Sequence, residues 1–128
     1  MYYALPQTLS EAVAALAGRD SMVLAGGTDI YPAHVGRALP NEIVDISRIS
    51  ELRGISETAA HFRIGGGTTW SDIVRAALPP SFDALKAAAR EVGSIQIQNR
   101  ATIAGNLCNA SPAADGVPPL LILDADVE

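Results

Sequence analysis

Two glycine-containing segments carry most of the polar chemistry in this sequence. The first directly follows a short apolar run and reads Leu24-Ala25-Gly26-Gly27-Thr28-Asp29-Ile30. A diphosphate group needs several hydrogen-bond donors at close range, and backbone N–H groups supply them in fixed directions. Glycine removes the Cβ that blocks close approach and permits positive φ. The segment is therefore a candidate phosphate cradle. The alternative is a plain strand-to-helix turn that Thr28 or Asp29 caps.

This first segment differs from two common nucleotide-binding motifs. No Gly-Lys-Ser/Thr sequence follows it, and its glycines lack the GxGxxG spacing of dinucleotide-binding turns. ATP hydrolysis and standard Rossmann-type binding are therefore disfavoured. A carboxylate beside phosphate charge is unfavourable, so we predict that Asp29 caps the turn or binds a hydroxyl group.

The second segment is a long polar stretch between residues 99 and 115. It reads Asn99-Arg100-Ala101-Thr102-Ile103-Ala104-Gly105-Asn106-Leu107-Cys108-Asn109-Ala110-Ser111-Pro112-Ala113-Ala114-Asp115. Its hydroxyl and amide groups suit phosphate oxygens, and Asp115 suits the hydroxyls of a ribose. The alternative is a polar loop whose side chains satisfy its own backbone. Arg100 is a candidate for steadying phosphate charge, or else an ordinary solvent-facing side chain.

Short strands and helices are expected to position these segments. The predicted strands cover residues 21–24, 43–46 and 62–64, and the predicted helices cover residues 69–78 and 84–92. The first of these helices stops at Pro79-Pro80, because proline cannot continue a helix. Trp70 is expected to pack in the core.

A further helix is expected near the N-terminus. Thr8 or Ser10 would cap it, and Thr8 with Glu11 has the spacing of a capping box. Gly18 would end it. Its predicted inner face consists of Leu9, Val13 and Leu16.

Residues 93–119 show little helical or strand periodicity and are rich in small and polar residues. A long irregular stretch inside a compact domain is unusual and often functional. A last helix is expected to start at Pro118 or Pro119. The apolar pattern is still in progress at Glu128, which predicts that the chain is truncated.

Composition narrows the class of protein. The 128 residues, 48% hydrophobic and 18% charged, fit one folded domain better than two. A net charge of −5 leaves no excess of cations for a nucleic-acid partner. Cys108 is the only cysteine, so this chain alone cannot ligate an iron–sulfur cluster, and a buried apolar role is expected for it. The sequence lacks a membrane-spanning run and a signal peptide, which predicts a cytoplasmic location.

Four short motifs occur in order along the chain. They read Ala25-Gly26-Gly27-Thr28-Asp29-Ile30, Ile64-Gly65-Gly66-Gly67-Thr68-Thr69-Trp70, Thr102-Ile103-Ala104-Gly105-Asn106-Leu107 and Ala110-Ser111-Pro112-Ala113-Ala114-Asp115. Together they resemble the patterns A-G-G-T/H-D/S-L, I-G-A-G-T-T-W/H, T-I-G-G-N-L and A-S-P-A-A-D of the FAD-binding domain of molybdopterin-dependent dehydrogenases. That family includes xanthine dehydrogenase, carbon monoxide dehydrogenase and aldehyde oxidoreductases. Four matches in one order are far more specific than any one of them.

The resemblance implies an α+β fold with FAD between two lobes. Residues 1–55 would form a small α/β lobe, and residues 56–128 would begin a larger α+β lobe that is incomplete here. The residues carried over as contacts of FAD are Leu24, Ala25, Gly26, Gly27, Thr28, Asp29, Ile30, Thr102, Gly105, Asn106, Leu107 and Asp115. The backbone of residues 24–30 would hold the pyrophosphate. Among the others, Leu107 would lie near the flavin end and the rest would contact phosphate, ribitol and ribose.

The resemblance also implies a role in electron transfer. In the family a molybdenum centre oxidises the substrate, iron–sulfur clusters relay electrons to FAD, and the electrons pass to NAD or another acceptor. The implied partners are a molybdopterin-containing large subunit, a 2Fe-2S small subunit and that acceptor. No catalytic residue and no metal ligand are expected on this chain, which by itself is expected to be inactive. The alternatives are a non-catalytic nucleotide-binding or assembly module, and a structural α/β domain.

Two positions depart from the family pattern. Ala104 stands where the pattern has a glycine, and Gly66 stands where it has an alanine. An alanine methyl fits at position 104 if φ is negative there; otherwise it would loosen the loop or shift the cofactor. At position 66 the change is a mild gain in flexibility.

Overall fold

A computed structural model describes residues 1–128. The strands are β1 (Tyr2–Ala4), β2 (Met22–Leu24), β3 (Glu42–Asp45), β4 (Ile55–Glu57) and β5 (Phe62–Ile64). The helices are α1 (Leu9–Leu16), α2 (Ile30–Ala33), α3 (Trp70–Arg75), α4 (Asp83–Glu91), α5 (Ile95–Gln98), α6 (Ile103–Asn109) and α7 (Val117–Ile122). Single 3₁₀ turns lie at Ser50–Leu52 and Pro80–Phe82. None of the helices is long and apolar enough to cross a membrane.

The strands form two small sheets. Three are parallel in the order β1-β3-β2, and β4 pairs with β5 in an antiparallel hairpin. Because parallel strands end at the same edge, the turns that follow β2 and β3 lie side by side. The N–H of Ile46 donates to the carbonyl of Leu24 at 2.8 Å, which ties the two turns together. Helices with one parallel and one antiparallel sheet confirm the predicted α+β class, and the division at residue 55 stays a prediction.

The main hydrophobic core lies around α3 and α4. Its buried members are Trp70, Ile73, Phe82, Leu85, Ala89, Val92, Ala101 and Ile103. The rings of Phe62 and Phe82 meet edge to face with centroids 4.8 Å apart, a favourable aromatic geometry. Trp70 has no exposed surface, which confirms its predicted place in the core. Ala101 and Ile103 anchor the second polar segment in this core.

Threonine caps fix the starts of the helices beside the polar segments. The Thr69 hydroxyl accepts from the N–H of Asp72, and the Asp72 carboxylate accepts from the N–H of Thr69, which completes a capping box at α3. The Thr102 hydroxyl accepts from the N–H of Gly105 at 3.1 Å and caps α6. The two caps therefore fix the first turns of α3 and α6, which pack on the core through Trp70 and Ile103.

The predicted inner face of α1 is partly wrong. Leu9 and Val13 are 45% and 61% exposed, and Ala12 is the buried residue. An alanine on the inner face lets the helix approach β3 closely, so the larger side chains turn outward. Thr8 caps α1 as predicted, but the Glu11 carboxylate accepts from the N–H of Gln7, so the capping box is only half formed.

The polar stretch at residues 93–119 is more helical than predicted, since α5, α6 and the start of α7 lie within it. These helices have four to seven residues, too few turns to show an apolar period. The predicted start of the last helix is confirmed, because Pro118 and Pro119 lie in the first turn of α7. Cys108 is exposed at the end of α6, so its predicted burial is wrong. Strands β1 and β4 were not predicted.

Candidate functional site

A cleft of about 250 Å³ lies between the carboxyl edge of the parallel sheet and the turns that precede α3 and α6. Its walls are formed by Ala25, Gly26, Ile46, Ser47, Ile49, Arg53, Gly67, Thr69, Asn99, Arg100 and Thr102. The first three motifs therefore meet at one place. A larger depression of about 440 Å³ beside β4 and α3 contains none of the predicted site residues.

The first segment leaves its backbone donors free. The N–H groups of Gly26, Gly27, Thr28 and Asp29 donate to no acceptor within the chain. Gly27 has φ +76°, a conformation that glycine adopts without strain. Consecutive free N–H groups after a strand, at the carboxyl edge of a parallel sheet, suit an anionic ligand. The local chemistry therefore favours a phosphate cradle.

The predicted capping role of Asp29 is wrong. Asp29 occupies the N-cap position of α2, but its side chain makes no capping hydrogen bond. Its backbone has φ −107° and ψ −40°, which is already helical. A capping side chain reaches the free N–H groups from an extended backbone, so this conformation prevents the cap. Thr28 makes no side-chain hydrogen bond either, and Asp29 is exposed beside the turn.

The second segment uses its backbone donors for packing. The N–H of Ile103 donates to the carbonyl of Thr68 at 3.0 Å, and the N–H of Ala104 donates to that of Gly66 at 3.1 Å. These bonds hold the first turn of α6 against the turn before α3. The Thr102 hydroxyl already accepts the capping bond, and its O–H remains as a donor at the cleft wall. The polar-loop alternative thus describes part of this segment.

Gly26 and Arg100 join the two segments. A Cβ on Gly26 would overlap the carbonyl oxygen of Arg100 and lie 2.7 Å from its carbonyl carbon. The Arg100 Nε donates to the carbonyl of Gly26 at 3.3 Å. Arg100 takes part in none of the four ion pairs of the chain, so its charge is available at the cleft.

The edge of the cleft also carries a carboxylate, Asp45, at the end of β3. Burial raises the pKa of Asp45, but hydrogen bonds from Ser47 and Tyr3 and the charge of Arg100 outweigh it and lower the pKa below its ordinary value. Its partner Tyr3 donates its hydroxyl to the carboxylate, which raises the pKa of Tyr3 to about 12. Asp45 is therefore ionised and held at neutral pH.

The remaining predicted contacts lie on α6 or beside it and do not line the cleft. The Asn106 Oδ1 is buried without a hydrogen-bond partner, and a Cβ on Gly116 would lie 2.7 Å from it. Asp115 precedes Gly116 and is exposed, while Leu107 is half-buried. Neither Asp115 nor Leu107 lines the cleft. The structure thus brings Asn106 beside the Asp115 loop, one helical turn or about 6 Å along α6 from Thr102 at the cleft wall.

Several cleft residues were not among the contacts carried over from the family. Asn99 and Arg100 begin the second polar segment, and Arg100 was already a candidate for steadying phosphate charge. Ser47 belongs to no motif. Its place follows from the parallel pairing of β2 and β3, which brings the turns after both strands to one edge.

The whole chain, residues 1–128, matches the family described as the FAD binding domain in molybdopterin dehydrogenase. The chain belongs to this family. It is 38% identical over 125 residues to the xanthine dehydrogenase FAD-binding subunit of Escherichia coli, covering 94% of this chain and 43% of that one. It is 39% identical over 121 residues to the carbon monoxide dehydrogenase medium chain of Hydrogenophaga pseudoflava, covering 88% and 41%. These matches confirm the family inferred from the four motifs.

Solved structures are similar over the same region. Carbon monoxide dehydrogenase from Hydrogenophaga pseudoflava matches with a TM-score of 0.79 and 36% identity, covering 91% of this chain and 42% of that one. Quinoline 2-oxidoreductase from Pseudomonas putida 86 matches with a TM-score of 0.78 and 27% identity. The chain spans less than half the length of the curated relatives it matches. FAD is the cofactor of the family, and the free N–H groups, Arg100 and the unpartnered Asn106 amide oxygen supply polar groups that fit it.

Proposed function

We propose that this chain holds FAD with its diphosphate in the cleft between the turn after β2 and the segment before α6. The observation that carries the proposal is the run of four free N–H groups from Gly26 to Asp29, which begins at Gly26 in the wall of a cleft that Arg100 also lines. The N–H groups would donate to the phosphate oxygens and Arg100 would offset their charge. Ala25, Leu24 and Ile30 would hold the turn in place from either side.

The rest of the cofactor would follow α6 away from the cleft. Thr102 caps this helix, Gly105 and Asn106 lie in its first turn, and the Asp115 loop packs against Asn106. In the proposed arrangement Asp115 accepts from ribose hydroxyls and Leu107 lies near the flavin end. A ligand with a single phosphate and no adenosine would lack the groups that the free N–H donors and Asp115 are proposed to hold.

The proposed role is that of an electron-transfer module in an oxidoreductase. When bound, FAD supplies the redox chemistry, and the chain positions it. The electron donor would be a small subunit that carries a 2Fe-2S cluster, as the resemblance to the family implies. A molybdopterin-containing large subunit would oxidise the organic substrate, and NAD or another acceptor would receive the electrons. The relatives named as a FAD-binding subunit and a medium chain support this assignment, and a cytoplasmic location stays a prediction.

Competition among FAD, ADP and FMN tests the binding proposal. Calorimetry and flavin fluorescence should show that FAD and ADP compete for one site, because both carry a diphosphate, and that FMN binds far more weakly. The Escherichia coli FAD-binding subunit serves as the positive control. Equal affinity for FMN and FAD would show that the diphosphate is not recognised. If none of the three ligands binds, the result would support the alternative of a structural domain without a cofactor.

Reduction of the bound flavin separates the oxidoreductase from a nucleotide-binding module without turnover. The chain would be mixed with the small and large subunits of a relative and with the organic substrate under anaerobic conditions. Bleaching of the flavin absorbance supports electron transfer. Bound FAD that stays oxidised, while the relative's own medium chain is reduced, supports the non-catalytic module.

A further inference from the structure

The two departures from the family pattern face each other. A Cβ built on Gly66 would lie 3.0 Å from the Cβ of Ala104, and apart from Gly66 and its two chain neighbours no other residue has an atom within 4 Å of that position. Two carbon atoms in favourable contact lie about 3.5–4.0 Å apart. The gap between the turn before α3 and the first turn of α6 therefore has room for one methyl group, which Ala104 supplies.

Neither turn can easily move to admit a second methyl. The N–H of Ala104 donates to the carbonyl of Gly66 at 3.1 Å, so the two backbones are joined at the same point. Ala104 lies within α6, and its methyl group has no rotamer through which to withdraw. On the other side, the N–H of Gly67 donates to the carbonyl of Leu52 at 2.6 Å. A second methyl would push one of these backbones away.

The backbone of Gly66 does not itself require glycine. Its φ lies outside the left-handed region, which Gly18, Gly27, Gly36, Gly54 and Gly93 adopt. Glycine is therefore required at position 66 by the contact with Ala104. Likewise Ala104 has negative φ within α6, so its methyl group costs no backbone strain.

We propose that Gly66 and Ala104 are a matched positioning pair. The space between them holds a single methyl group, and that methyl group fixes the position of the first turn of α6 relative to the cleft. Their neighbours Gly67 and Thr102 line the cleft, and Gly105 follows in the same helical turn. A shift at this contact would displace both walls that these residues form. The family pattern has its methyl group at position 66, and this chain has it at position 104. In both cases the two positions together carry one methyl group. The effect on FAD rests on the proposed function, whereas the packing match does not.

A four-protein cycle tests the pair: the unchanged chain, Gly66→Ala, Ala104→Gly and the double variant. Gly66→Ala should lower the thermal midpoint of the ligand-free protein by about 5 °C and weaken FAD binding about tenfold. The double variant should bind FAD within about twofold of the unchanged chain and recover the shape of the bound flavin spectrum. If Gly66→Ala only lowered stability in general, removing the methyl group of Ala104 would not restore FAD binding.

Gly65→Ala is the matched control, because a Cβ there would meet the backbone of Leu52 rather than Ala104. Ala104→Gly should give it no rescue. The proposal is overturned if the double variant is as impaired as the sum of its single changes, or if Ala104→Gly rescues Gly65→Ala equally well. If the unchanged chain binds no FAD, the proposed function fails. The thermal midpoints of the four ligand-free proteins still test whether Gly66 and Ala104 are matched in packing.

Discussion

Gly26 and Arg100 are 74 positions apart in the chain, and their backbones touch where a Cβ on Gly26 would stand. The contact joins the turn after β2 to the segment before α6 and closes one end of the cleft. Glycine at position 26 is therefore required by chain packing as well as suited to a close approach by phosphate. The two interpretations of this glycine, a structural turn and a cradle, describe the same geometry.

Gly26→Ala should separate the two segments. The added methyl has no space, so we expect a loss of about 1–3 kcal/mol in the free energy of unfolding and a large loss of FAD affinity. Urea unfolding and calorimetry measure both. Gly36→Ala is the control, since nothing lies within 4 Å of its Cβ position and only its φ of +73° opposes the change. Equal effects of the two changes on FAD affinity would refute the role of the contact.

Arg100→Gln should weaken binding of FAD and ADP about equally. We expect about a tenfold loss for each and a weaker dependence of affinity on salt, because a charge facing the diphosphate is removed. Stability should fall by less than about 1 kcal/mol, since Arg100 makes no ion pair and its side chain loses only the 3.3 Å hydrogen bond to the Gly26 carbonyl. Arg90→Gln, in the last turn of α4 and away from the cleft, is the matched control. The same loss of ADP affinity in both variants would count against a phosphate contact at Arg100.

Asp72→Asn should destabilise the start of α3. Asp72 accepts two hydrogen bonds from Arg53, at 2.7 and 2.9 Å, and one from the N–H of Thr69. We expect a loss of about 1–2 kcal/mol at neutral pH, measured by urea unfolding. Asp126→Asn, an exposed carboxylate without hydrogen bonds, should change stability by less than about 0.5 kcal/mol.

The same variant has a defined pH dependence. The hydrogen bonds from Arg53 lower the pKa of Asp72 well below its usual range, against the opposing effect of burial. A lowered folded-state pKa contributes stability above the ordinary carboxyl pKa of about 4, and this stability is lost as pH falls through the folded value. The gap between the unchanged chain and Asp72→Asn should therefore be constant near neutrality and shrink in acid. A gap that widens in acid would contradict this assignment.

Tyr3 should ionise at a higher pH than an ordinary tyrosine. Its hydroxyl donates to Asp45, which raises its pKa from 10.0 to about 12. The stability from this bond is present below pH 10 and is lost as pH rises through about 12. Phenolate absorbance of the folded chain should show a late titration step that Tyr3→Phe removes and Tyr31→Phe leaves in place. A late step that survives in Tyr3→Phe would assign it to another residue.

Much of the local structure was predictable from consecutive residues. The strands that contain Val23 and Val44, the helix at residues 83–91 and the threonine caps follow from apolar runs, alternation and cap residues, which act within a few positions. The short helices within residues 95–109 were not predicted. They are stabilised by backbone hydrogen bonds to the turn before α3 and by burial of Ala101 and Ile103, and these contacts are not visible in the local sequence. The cap predicted for Asp29 was wrong because a cap depends on a backbone conformation that residue type does not specify, and its alternative role at a hydroxyl group stays a prediction.

The sequence by itself determined the family, the α+β class and the two segments that supply polar groups, because those depend on residue type and order along the chain. Only the tertiary structure decided that Gly26 meets Arg100, that Gly66 and Ala104 share the room for one methyl group, and that Asp115 lies away from the cleft. These relationships join residues far apart in sequence. Their geometry depends on the order of the strands in the sheet and on how the helices dock, and no local pattern encodes either of these.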